Sequence, residues 1–198
     1  MKKFIVTIIA ALFTVVSMAQ TFGEETINGK VYTVVNMQSE STELGDIKIL
    51  LEPSSAKKFI KNLRKLQDKV AGWTETANKK GVKNFRKTVE GSYSYSKLAF
   101  CNSDGNNVAD YNYNNYLVPY FNVDSEGNSH LLLGGYYSGY NTSNMGSDYD
   151  KRTKFFFYMS IPVSELNSWI NNLEIAANEI NGKQHNVDAV NEIFMAVK

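Results

Sequence analysis

Between Ser55 and Asn78 the larger apolar residues fall at Phe59, Leu63, Leu66, Val70, Trp73 and Ala77, in steps of 4, 3, 4, 3 and 4. This is the repeat of an amphipathic helix, and it predicts one over that stretch. Pro53-Ser54-Ser55 supplies the stop before it and the serine cap that begins it. Burying the large side chains of this stripe at about 1.5 to 3 kcal/mol each gives a gross term on the order of 10 kcal/mol, enough to dock the helix on a core. A second stripe, Leu166, Trp169, Ile170, Leu173, Ala177 and Ile180, follows the cap Pro162-Val-Ser164-Glu165. Asn181-Gly182 then stands where a helix is expected to end. Val187, Val190, Ile193, Phe194 and Val197 predict one further short helix at the C-terminus.

Elsewhere the period shortens to two. Asn28-Gly29 ahead of Lys30-Val-Tyr-Thr-Val-Val35 is a two-residue hairpin signal, with a strand following near 30–37 and another at Ile47 to Leu51. From Val82 to Ile161, short runs of β-branched and aromatic residues alternate with turns such as Asp124-Ser-Glu-Gly-Asn128. They predict strands at 82–89, 93–101, 116–123, 129–137 and 153–161, with loops at 102–115 and 138–151. In the third of these, Leu117, Phe121 and Val123 should share one face and Tyr116, Val118 and Tyr120 the other. The fold class expected is α+β: an antiparallel meander packed by two long amphipathic helices, plus the short C-terminal one.

The first turns of the two long helices match in register, Phe59-Ile-Lys-Asn-Leu63 against Trp169-Ile-Asn-Asn-Leu173, each after a strand and a serine. That suggests a tandem of two units, each of strands followed by a helix. Such an architecture is similar in topology to the twice-repeated fold of the Whirly single-strand-binding proteins. The likeness covers no sequence motif, and a shared fold does not carry function.

The N-terminus modifies the picture. Lys2 and Lys3 precede an apolar run from Phe4 to Val16, and Ser17-Met-Ala19 places small residues where a signal peptidase cuts. Residues 1–19 are therefore expected to be a signal peptide and 20–198 a single α+β domain, secreted or periplasmic and not membrane-spanning. The apolar run is 13 residues, against about 20 for a bilayer-crossing helix. No cysteine follows it that could take a lipid. Cys101 is the only thiol, so the chain cannot close a disulfide within itself. Export also makes nucleic acid an unexpected partner.

Charge divides the chain. The segment from Lys57 to Lys87 holds eleven basic residues against Asp68 and Glu75, a net +9. The rest of the mature chain holds eight basic and eighteen acidic residues, a net −10. On a helical wheel Lys57, Lys58, Lys61, Arg64, Lys65 and Lys69 lie opposite Phe59 and Leu63. An exposed helix whose charges serve only solubility usually interleaves Glu with Lys at i, i+4. This one does not, so the six cations are the candidate site for a polyanion, an acidic protein or an acidic glycan. A plain solvated helix face is the competing account.

Eleven of the 12 tyrosines lie between Tyr93 and Tyr158, many beside asparagine and glycine. Tyr111, Tyr113, Tyr136, Tyr137 and Tyr140 are candidates for stacking on sugar rings, with asparagine amides bonding to hydroxyls. Tyrosine is also a strong strand former, and Asn and Gly make turns, so the same composition builds a sheet without a ligand.

Catalytic chemistry leaves little trace. His130 and His185 have no partners at metal-ligand spacing, and the Asp-Gly and Glu-Gly turns lack a calcium loop's closing glutamate. Ser54-Ser-Ala-Lys57 matches S-x-x-K, but the companion motifs of that enzyme class are missing. No catalytic residue, metal ligand or cofactor is assigned. The expected function is a non-catalytic binding or interaction module acting through the cationic helix. The alternatives are a small cell-envelope hydrolase using two of Glu90, Asp110, Asp124 and Asp150, or a carbohydrate-binding protein using the Tyr/Asn-rich loops.

Overall fold

A computed structural model describes residues 22–39, 47–101, 107–110, 116–140 and 152–195, with 100–101, 107–110, 138–140, 152–155, 187, 190, 191 and 193–195 described by their backbone alone. The first 19 residues, Tyr111 and Tyr113 lie outside these ranges, as does the side chain of Cys101. Ten antiparallel strands and two long helices make a mixed α+β architecture. In chain order they are β1 (Phe22–Ile27), β2 (Lys30–Ser39), β3 (Ile47–Leu51), α1 (Pro53–Lys80), β4 (Phe85–Thr88), β5 (Tyr93–Ser94), β6 (Lys97–Cys101), β7 (Asn107–Asp110), β8 (Tyr116–Val123), β9 (Ser129–Tyr140), β10 (Arg152–Pro162), a 3-10 turn (Val163–Glu165) and α2 (Leu166–Met195).

The hairpin signal is realised directly. Asn28 and Gly29 both take positive φ, 51° and 78°, and join β1 to β2 in a two-residue turn. Spatially the strands follow the order β4-β8-β9-β10-β2-β3-β6-β7, with β1 on β2 and β5 on β8. The long strand β2 is shared: Lys30 to Val35 pair with β1, and Gln38 and Ser39 pair with β10. Only Tyr95 and Ser96 separate β5, paired to β8, from β6, paired to β3. The Ser96 amide donates to the Leu50 carbonyl at 2.8 Å, and its hydroxyl accepts from the Glu52 amide at 2.8 Å. Chain 93–101 thus links the two ends of the path β8-β9-β10-β2-β3, and the order of partners closes into a ring.

Two apolar clusters are buried among the described residues, a small one of Tyr32, Val34, Leu50 and Ala99 and a large one between the sheet and the helices. Val35, Ile47, Ile49, Leu51, Leu98, Leu117, Phe121, Leu131, Leu133, Phe157, Met159 and Ile161 from the strands join Phe59, Leu63, Leu66 and Val70 of α1 and Leu166, Trp169, Ile170 and Leu173 of α2. Every residue of the two predicted helical stripes is buried except Trp73, which is half-buried and packs edge-on to Phe121. The expected alternation in β8 is observed, with Leu117, Phe121 and Val123 inward and Tyr116 exposed. Proline is awkward inside a sheet because it donates nothing to the ladder. Pro119 sits opposite the break between β4 and β5, where its carbonyl accepts from the Val89 amide at 2.8 Å.

The paired glycines of β9 serve both faces. A Cβ on Gly134 would meet the Phe156 ring at 2.3 Å, and one on Gly135 would meet Phe157 at 2.7 Å. Each bare Cα therefore leaves room for a neighbouring phenylalanine ring of β10, Phe156 on one side of the sheet and Phe157 on the other.

Three expectations are corrected. Asn181-Gly182 does not end the second helix, which runs unbroken from Leu166 to Met195, so the separate C-terminal helix does not exist. A helical glycine costs about 1 kcal/mol relative to alanine, and tertiary anchors beyond it compensate: Lys183 pairs with Glu24, and Gln184 Oε1 accepts from the Val31 amide at 2.7 Å. The first helix starts at Pro53 with Glu52 as its N-cap residue, and Ser55 instead bonds the Ser96 hydroxyl at 3.1 Å. Finally, β7 lies within the stretch expected to be a loop, paired to β6 from Asn107 to Asp110. None of the helices among the described residues is long and apolar enough to cross a membrane.

Candidate functional site

The cationic side of α1 is positioned by what its other side buries. With Phe59, Leu63, Leu66 and Val70 committed to the core, helical geometry turns Lys57, Lys58, Lys61, Arg64, Lys65 and Lys69 outward, and all six are exposed. The closure of α1 by Gly81 in the left-handed conformation (φ 62°), with the Gly81 and Val82 amides returned to Asn78 and Ala77, keeps the helix regular to Lys80.

The second helix turns part of this face into a groove. At its start α1 is tied by Glu52 to Lys30 (3.6 Å), beside Val31, which bonds Gln184 late in α2. Further along, Arg64 Nη2 donates to Asn171 Oδ1 at 2.9 Å and Glu174 Oε2 at 2.5 Å, earlier in α2. The helices therefore run antiparallel. Between them lies a groove of about 680 Å³ lined by Pro53, Lys57, Ile60, Lys61, Arg64 and Lys65 from α1 and by Glu174, Ala177, Asn178 and Asn181 from α2. That is within the size range of small-molecule sites, about 300 to 1,000 Å³. Ile60 and Ala177 are buried and give it an apolar floor.

Four of the six expected cations are thus brought together at one cleft, and two are not. Lys58 is exposed outside it. Lys69 turns towards the β4–β5 side, 3.7 Å from Glu90 and 5.3 Å from the Trp73 ring centroid. Lys87 approaches the same ring at 4.9 Å, so this indole holds two ammonium groups in cation–π range.

Within the groove the charge is largely unspent. Lys57, Lys61 and Lys65 make no ion pair among the described residues, and Glu174, the one acid among the lining residues, is matched by Arg64. Three uncompensated ammonium groups beside a low-dielectric floor focus a positive potential into the cleft. The wall contributed by α2 was not legible in sequence, because Glu174, Asn178 and Asn181 look like an ordinary polar helix face until α2 is docked.

The tyrosine candidates are dispersed. Tyr136 is 73% exposed on the face of β9 away from the core, its ring 4.9 Å from that of Phe156. Phe156 in turn stacks on Tyr158 at 5.7 Å and 18°. Tyr137, one residue on, points inward and is 5% exposed, so strand alternation removes it from any surface that Tyr136 presents. Tyr140 ends β9, with its side chain outside the described residues, as are Tyr111 and Tyr113 altogether.

Of the carboxylates considered for hydrolysis, Asp124 has a structural task. Its Oδ1 accepts from the amides of Glu126, Gly127 and Asn128 at 2.8 to 2.9 Å, and its Oδ2 accepts from Asn128 Nδ2 at 3.0 Å. Asn128, through its side chain and then its amide, and then the other two amides hold the carboxyl down to a pKa of about 2. His130 Nε2 lies 3.5 Å from Asp124 Oδ2, and its Nδ1 lies 3.4 Å from Ser160 Oγ. Both separations are longer than a well-formed hydrogen bond, and the aspartate is already committed to the turn. Asp110 ends β7 and Asp150 lies outside the described residues. Among the described residues no three His, Cys, Asp or Glu side chains are grouped to hold a metal ion. No protein family model, curated protein or solved structure matches the chain.

Proposed function

We propose that the protein is an exported, non-catalytic binding module that takes an anionic ligand into the groove between α1 and α2. The observation that carries this reading is the convergence there of Lys57, Lys61 and Lys65 without acidic partners among the described residues, while Arg64 neutralises the one lining acid. Solubility alone does not require lysines to be gathered into a cleft with an apolar floor. Lys58 and the cations beyond Lys69 extend the positive field and speed capture, whereas the groove residues make the contacts. Export rests on the N-terminal pattern of Lys2, Lys3, the apolar run and Ala19.

The test is a titration of residues 20–198 with a heparin-like polyanion at several salt concentrations. Affinity should fall steeply with salt as the contacts are screened. Replacing Lys57, Lys61 and Lys65 by glutamine should weaken binding by about fivefold to about 150-fold, taking each of the three exposed charge contacts as about 0.3 to 1 kcal/mol. Binding that ignores both salt and these substitutions would return α1 to a solvated face.

A further inference from the structure

We infer that the groove is built for an acidic glycan, a linear sugar chain carrying carboxylates or sulfates, rather than for a phosphate polymer; this rests on the anion-binding reading above. Three features of the cleft bear on that choice: the first two, on α1, call for an extended anion of repeated charge, and the third, on α2 and the floor, selects the sugar.

The first is the line of cations. Lys57, Lys61 and Lys65 are four residues apart on one helix, so successive ammonium groups are spaced about 6 Å along the axis. A ladder of that pitch suits an extended polymer with regularly repeated charge better than one compact anion. The second is the identity of those cations. The planar guanidinium fork engages two oxygens of one carboxylate or phosphate at once, whereas a lysine ammonium meets either as a point charge. The arginine lining the groove, Arg64, is held by Asn171 and Glu174, and the lining cations with no ion pair among the described residues are lysines, which suit a row of repeated single charges.

The third is the opposite wall. Asn178 and Asn181 present side-chain amides three residues apart along α2. An amide offers both donors and an acceptor, the complement of a hydroxyl, which is likewise both. A phosphate polymer without hydroxyls has acceptors only and leaves the amide oxygens unmatched. Between the walls, Ile60 and Ala177 supply an apolar floor on which the C–H face of a pyranose can rest. One edge of the ligand is thus offered positive charge, the other hydroxyl partners, and its flat face an apolar surface. Carboxylates and hydroxyls on opposite edges of a sugar ring meet those conditions together.

The experiment compares two probes on residues 20–198: a linear oligogalacturonate and an inorganic polyphosphate of matched charge. It uses the unaltered protein, Asn178→Ala/Asn181→Ala, and Lys57→Gln/Lys61→Gln. Neither asparagine belongs to the core, so the double alanine variant should keep its fold, which circular dichroism and melting temperature will check. The expected result is that oligogalacturonate binds more tightly than polyphosphate. The asparagine variant should then lose about tenfold for the glycan while polyphosphate changes less than twofold. Equal or tighter polyphosphate binding, or an asparagine variant that affects both probes alike or neither, overturns the glycan assignment. If in that case the lysine variant still weakens both probes, the anion-binding groove stands without it. If neither probe binds, or the lysine variant changes nothing, both readings fall together.

Discussion

Asp124 shows how one residue can look chemical in sequence and be structural in space. An aspartate in Asp-Ser-Glu-Gly-Asn is compatible with catalysis or with a turn, and the pattern favours the turn. The structure settles on the turn through three backbone donors and the Asn128 side chain. Those bonds favour the ionised form and lower its pKa to about 2, against about 3.9 for aspartate in an unfolded chain. For a group whose pKa is depressed by folding, the stabilisation is fully present above the unfolded value and disappears as pH falls through the folded one. Denaturation midpoints should therefore show the native protein losing its advantage over Asp124→Ala as pH drops from about 5 to about 2. A difference between the two that stays constant over this window would mean that the carboxylate is not held by the turn. The turn itself was legible in the Asp-Ser-Glu-Gly-Asn pattern, but the lowered pKa was not, because a hydrogen-bonded carboxylate and a free one have the same letter.

Elements were legible where a single period governed them. Phe59 to Ala77 and Leu166 to Ile180 announce their helices because every fourth or third residue must be apolar to reach one core, and β8 announces its faces by strict alternation. Endings were harder, because they depend on contacts made elsewhere. Gly182 resembles a C-terminal stop, yet Lys183 and Gln184 are anchored to β1 and β2 and carry the helix past it. Gly182 is not among the glycines with positive φ, and a Cβ there would meet nothing within 4 Å. Gly182→Ala should accordingly stabilise the protein by about 0.5 to 1 kcal/mol, seen as a higher denaturant midpoint with an unchanged slope. A destabilised variant would place Gly182 in a left-handed cap, as the local sequence suggested, and would contradict the continuous helix. The division of chain 93–101 into β5 on β8 and β6 on β3 was also invisible, since its partners are chosen by tertiary closure and the local pattern shows one β-rich run.

For the molecule as a whole, charge and fold meet at one place. The sheet fixes α1 and α2 against a common core, their antiparallel pairing opens the groove, and the basic segment of an otherwise acidic chain supplies its lysines. The sequence pointed to the cationic wall but not to the wall that α2 builds, because pairing of helices 107 residues apart, as between Arg64 and Asn171, leaves no periodic mark. The central claim is that this cleft, rather than basicity at large, recognises the ligand. The most direct measurement is a charge-matched comparison of heparin-like polyanion binding by Lys57→Glu/Lys61→Glu/Lys65→Glu and by Lys79→Glu/Lys80→Glu/Lys83→Glu, both of which change net charge by the same amount. The account predicts that the first variant loses binding by more than about tenfold while the second, outside the groove, shows mainly a slower association. Equal losses in both would contradict it, leaving a diffuse positive surface in place of a site.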